Sequence, residues 1–148
     1  MRDDRQSFFE QLREVALVTP SDIVDEWTAI ARRSEPWRSM PLDDLVGELP
    51  AVLTALFREE PWSEHQNPNL LELRARSHGS FRRRQGIAAP ALTEESVMLT
   101  AALRAVLEFL GASESTSHDV VALIERDLGL VTRSANAGYF DGPSSPRL

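Results

Sequence analysis

Residues 93–110 read TEESVMLTAALRAVLEFL. Val97, Leu99, Leu103, Val106, Leu107 and Leu110 fall mostly at steps of three and four, so they share one broad face of a helix. Thr93 stands where a side-chain cap belongs, and Gly111 where a helix stops. The same rhythm continues on both sides. Upstream, Asn69 to Gln85 carries Leu70, Leu71, Arg74, His78 and Phe81 on one face, and Gly86 follows as the terminator. Downstream, Val120, Val121, Ile124, Leu128, Val131 and Ala135 extend the pattern from a start near Ser117 or His118. Gly129 and Gly138 weaken that last segment towards its end.

The first half of the chain follows suit. Phe8, Phe9, Leu12, Val15 and Ala16 predict a helix over 4–18. Ile23, Trp27, Ile30 and Ala31 predict a second over 22–33, after the break at Thr19-Pro20-Ser21. Pro41 opens a third segment through Leu42, Leu45, Val46 and Leu49. Pro50 either kinks that segment or starts another helix, which carries Val52, Leu53, Leu56 and Phe57. Residues 61–68 read as a loop with Trp62 as a plug. No stretch alternates as a strand does, and no repeat is evident. The expected fold is all-α, an antiparallel helical bundle of about five to six helices over residues 1–141, with 142–148 as a flexible tail or linker stub.

Composition narrows the function classes. A chain of 148 residues suits one domain, and 42% hydrophobic residues suffice for a core. The absence of cysteine removes disulfides, thiolate metal sites and cysteine nucleophiles. All 16 basic residues are arginine, which removes lysine Schiff bases and a phosphate-loop lysine. We read that bias as the codon usage of a GC-rich bacterial genome. A net charge of −7 disfavours nucleic acid and anionic membranes as partners. The opening MRDDRQSFFEQL is charged and has no apolar signal core, and no stretch nears the ~20 apolar residues of a membrane helix. The expectation is a cytoplasmic protein with no nucleic-acid or membrane partner. Zinc and di-iron helix motifs and Gly-rich phosphate loops are missing, so no cofactor and no metal is expected.

One polar constellation stands out. On a helix, positions 74, 78 and 82 stack Arg74, His78 and Arg82, with Phe81 and Gln85 beside them. Glu94 or Glu95 on the following helix can receive their hydrogen bonds. The preferred reading is a partly buried polar seam between two helices. A sharper reading is an anion- or ligand-binding pocket between bundle helices. A third is phosphoryl acceptance by an exposed His78, although Gly79 stands where phosphotransfer kinases place an acidic residue. Haem ligation would draw on His65, His78 or His118, none of which lies in an apolar context.

Arg82-Arg83-Arg84, with Arg74 and Arg76, forms a local basic patch, read as favourable charge at a helix C-terminus. The adjacent acids Asp43/Asp44, Glu59/Glu60 and Glu94/Glu95 point to different sides of a helix and are poor acid–base pairs. Trp27, Trp37 and Trp62 read as core or loop anchors, and Trp37 or Trp62, where exposed, as interface anchors.

Two stretches resemble the N-terminal sensor-like domain of RsbT co-antagonist proteins of the RsbRD type, a domain also found ahead of bacterial histidine kinases. The first is Ile23-Val24-Asp25-Glu26-Trp27, followed after a loop by residues 41–53, PLDDLVGELPAVL. The second is residues 75–86, ARSHGSFRRRQG, where His78 is followed four residues later by Arg82 and then by the helix-ending Gly86. Glu95 sits where the family places a Glu at the start of its next long helix. The family often has Tyr and Arg where this chain has Ser96 and Thr100, so the resemblance carries no pairing through those two positions. It covers about residues 23–110. It implies a regulatory bundle, without catalytic residues, acting in signal transduction on a partner signalling protein or an output domain. We also expect a homodimer, the commonest oligomer. The alternatives are a structural adaptor without ligand and a histidine phosphotransfer-like protein centred on His78.

Overall fold

The structure, a computed structural model, describes residues 3–58 and 68–142. Among them are seven α-helices and no strand. They are α1 (Asp4–Val18), α2 (Pro20–Ala31), α3 (Leu42–Val46), α4 (Leu49–Leu56), α5 (Pro68–Arg84), α6 (Ala91–Phe109) and α7 (Glu114–Asp141). A 3-10 turn, Trp37–Ser39, lies between α2 and α3. With α3 only five residues long, six helices are of eight residues or more. The all-α bundle that the periodicity predicts is what forms. The readings of Glu59, Glu60, Trp62, His65 and residues 143–148 lie outside the described residues.

The element boundaries differ from expectation where local chemistry outweighs periodicity. The segment 42–56 breaks at Gly47, not at Pro50. Gly47 has φ +54°, and a Cβ there would stand 2.8 Å from the Phe81 ring, so only glycine fits. Pro50 then lies in the first turn of α4. Thr93 does not cap α6. Pro90 already has helical backbone angles, so the helix starts at Ala91 and Thr93 sits inside its first turn. Helix α7 starts at Glu114 rather than near Ser117, because Ser113 Oγ accepts a hydrogen bond from the Thr116 amide at 3.1 Å.

One core draws side chains from every helix, including Phe9, Leu12, Trp27, Leu45, Leu53 and Ile124. Trp27 and Trp37 are both fully buried and meet edge to face at 5.9 Å, so these two tryptophans are core anchors. No helix among the described residues is long and apolar enough to cross a membrane.

Helices α5 and α7 run antiparallel with their backbones in contact. A Cβ on Gly79 would lie 1.9 Å from the Ala135 carbonyl oxygen, and one on Gly138 would lie 2.0 Å from that of Arg76. Gly138 therefore does not end α7. It is a packing requirement, and the helix runs through it to Asp141. Gly129 differs, since a Cβ there would meet only the flexible tip of Arg133 at 3.2 Å. Gly79→Ala and Gly138→Ala should each cost at least about 2 kcal/mol in urea unfolding, because a backbone has to move. Gly129→Ala should instead stabilise by about 0.5–1 kcal/mol, the helix preference of alanine. Equal effects at all three positions would contradict the close crossing.

Candidate functional site: a buried ionic seam

Stepping by about 100° per residue, the buried arc of α5 runs from His78 through Leu71, Arg82 and Ala75 to Gly79 and Arg76. Arg74 lies about 40° to the other side of His78 by the same stepping and is exposed. Of the four predicted site residues, the structure thus brings together His78, Arg82 and Glu95, and leaves Arg74 outside. The i, i+4 spacing placed Arg74 on the stripe but could not say on which side of it the neighbours pack.

Glu95 lies in the first turns of α6, buried against α5. Its Oε2 is 2.5 Å from His78 Nε2, and its Oε1 accepts from Arg82 Nε. The remaining nitrogens of Arg82 are also used. Nη1 donates to the Asp44 carbonyl at 2.7 Å and to Gln85 Oε1 at 2.8 Å, and Nη2 donates to the Leu45 carbonyl at 2.5 Å. Gln85 Nε2 adds a bond to the Asp44 carbonyl at 2.7 Å. Asp44 and Leu45 carry two of the last carbonyls of α3, which the helix itself cannot satisfy. The guanidinium also lies 5.0 Å from the Trp37 ring centre. Trp27 Nε1 reaches the Glu95 carbonyl oxygen at 3.3 Å. Three helices, α3, α5 and α6, therefore meet on one carboxylate and one guanidinium, and α2 is tied to the same residue through the Glu95 backbone carbonyl. Ser77 adds a tie from α5 to Glu48, just ahead of α4, at 2.7 Å.

Burial alone would push the Glu95 carboxyl up. The charge and hydrogen bond of His78, then those of Arg82, outweigh it and hold the group below the usual glutamate range. An ionised Glu95 requires the proton on His78 Nε2. His78 Nδ1 is buried without a hydrogen-bond partner.

This geometry bears on each sequence-based reading of the site. His78 is 4% exposed and its Nε2 is committed to Glu95, so it presents no face to a phosphoryl donor or to haem iron. The space beside His78, lined also by Leu49, Val52, Leu99 and Val131, is about 20 Å³, room for about one water and not for a metabolite. Among the described residues, no three His, Asp or Glu side chains converge as metal ligands. The basic patch dissolves into separate tasks. Arg82 is in the seam, Arg76 is buried, and Arg83 donates to the Tyr139 carbonyl at 2.8 Å. Ser96, where the resembling family often has Tyr, pairs with Thr132 of α7 at 2.7 Å.

Sequence reasoning missed a clamp on the end of α7. Arg83 spans the Tyr139 and Phe140 carbonyls and sits 5.7 Å from the Tyr139 ring. Arg76 Nη2 reaches the Gly142 carbonyl at 3.4 Å, and the Tyr139 hydroxyl donates to the Ile87 carbonyl at 2.7 Å. The signal was available. Arg76 lies three residues before Gly79, on the same face, and its burial follows once Gly79 is taken as a contact point.

Fold and site together define an all-α bundle pinned by a buried carboxylate–guanidinium–imidazole cluster. No family model matches the chain, and neither curated proteins nor solved structures yield a match.

Glu95→Gln leaves Arg82 buried without its counter-charge and should cost about 3–5 kcal/mol in urea unfolding at neutral pH. Because the folded-state carboxyl is held below its unfolded value, its stabilisation is present above about pH 4.3 and is lost as pH falls through the folded value. The gap between wild type and Glu95→Gln should therefore narrow in acid. A gap independent of pH would contradict an ionised Glu95.

Proposed function

We propose that this chain is a regulatory helical module of bacterial signal transduction. It works without catalysis, by passing a change in helix packing to a partner signalling protein or an output domain. The observation that carries the reading is the double attachment of α5. The helix that holds Arg82 and His78 against Glu95 also holds the last turn of α7 through Arg83 and Arg76. Both attachments fall within residues 76–83, so a shift of this part of α5 against Glu95 is felt at the end of α7, as a coupling element requires. The resemblance to the RsbRD-type N-terminal domain rests on residues 23–27, 41–53 and 75–86 and on Glu95, and it supports the same class. Input through protein contact fits better than a metabolite at the seam, given the space beside His78.

A structural adaptor is the second reading, favoured by that same small space. The two readings separate at Tyr139, the only tyrosine in the chain and thus a selective probe of the end of α7. In fluorotyrosine-labelled protein, Glu95→Gln should shift or broaden the Tyr139 fluorine resonance. Ile23→Ala, a core cavity in α2 of similar cost at about 2–5 kcal/mol, should leave it in place. If both variants leave Tyr139 unmoved, or move it equally, the coupling is absent and the adaptor reading stands.

A further inference from the structure

Phe109 ends α6 with 90% of its surface exposed. A lone exposed apolar side chain is ordinary, and a rimmed apolar groove is not. Phe109 lies on such a groove, a space of about 360 Å³ floored by Val15 of α1 and by Val106 and Leu110 at the end of α6. Its rim is Asp22, Asp25 and Glu26 of α2, and none of the described residues lining it is basic. Val18, 70% exposed, lies one turn beyond Val15 on α1 and extends the apolar surface. Helices α1 and α6 end here and α2 begins here, so their dipoles oppose one another and the negative charge of the groove is that of its three carboxylates.

We infer that this groove docks a cationic amphipathic helix of a partner protein, with large apolar side chains inserted beside Phe109 and arginine or lysine against Asp22, Asp25 and Glu26. Charge selects this occupant. A second copy of the chain would bring one acidic rim against another, at a net charge of −7 per chain. An anionic lipid surface is repelled for the same reason. With no strand among the described residues, strand addition is not available and helix-in-groove recognition is. The groove is independent of the coupling reading above. It lies 14 residues along α6 from Glu95, which is about 21 Å of helix.

The test uses the full chain and a synthetic helical peptide with leucines on one face and arginines flanking them. Isothermal titration and amide chemical-shift mapping are read together. The expected result is binding that weakens with added salt, shifts confined to the neighbourhood of Val15, Asp22 to Glu26 and Val106 to Leu110, and a loss of about tenfold or more in Phe109→Ser. Phe109 is exposed, so that variant should keep the wild-type unfolding midpoint. A peptide of identical composition in shuffled order should bind at least about tenfold more weakly. Equal binding of the shuffled peptide reduces the attraction to bulk charge and overturns the proposal. So does binding that Phe109→Ser leaves unchanged, or no binding at all. Sedimentation of the chain alone covers the other occupant. A dimer that Phe109→Ser abolishes would assign the groove to a second copy.

Discussion

Burying a guanidinium is the constraint around which the bundle is arranged. Arg82 is fully enclosed, and an isolated charge of that size out of water costs several kcal/mol even after relaxation. The structure offsets the cost with one carboxylate, two backbone carbonyls, one amide oxygen and the face of Trp37. Each partner fixes something else. The Asp44 and Leu45 carbonyls set where α3 ends, and Gly47 follows because the next residue must turn under Phe81 and Arg82. Glu95 sets the height of α6 against α5, and its own carbonyl holds Trp27 of α2. Replacing such a cluster by well-packed apolar residues is commonly neutral or stabilising. The cluster is therefore read better as a device for register than as a source of stability. That is also the property a module working through helix packing needs.

Arginine recurs here as a cap for carbonyls at helix ends and turns. Arg13 donates to the Phe57 and Arg58 carbonyls at the end of α4. Arg32 gathers the Trp37, Arg38 and Met40 carbonyls. Arg82 serves α3, and Arg83 serves α7. A planar fork with five donors can bridge two or three carbonyls in a fixed geometry, and an ammonium on a flexible stem cannot. Whatever set the codon usage, the absence of lysine has a structural consequence. At these positions Arg→Lys is not a conservative change.

The helices were legible because their apolar residues are periodic, and periodicity is a local property. So were His78, Arg82 and Glu95 as a group, since a positive stripe on one helix calls for an acid on the next. What stayed hidden depends on neighbours. Arg74 has the right spacing and the wrong azimuth, because the buried arc of α5 turns towards α7. Gly138 reads as a helix breaker until the backbone of Arg76 is placed against it. Ser113 reads as a linker until its hydroxyl is seen to cap Thr116. The carbonyls that receive Arg82 and Arg83 leave no trace in side-chain identity, so no pattern in the sequence could have announced them.

Arg82 and Glu95 act as one unit, and a double-mutant cycle in urea unfolding measures that directly. Arg82→Met and Glu95→Met each strand a buried charge, whereas the double variant removes both charges and leaves apolar side chains of similar length. The expected result is a double variant much less destabilised than the sum of the singles, with an interaction energy above about 1.5 kcal/mol. Additivity to within about 0.5 kcal/mol would mean that each charge is satisfied independently of the other, and the seam would not be the joint on which the bundle is arranged.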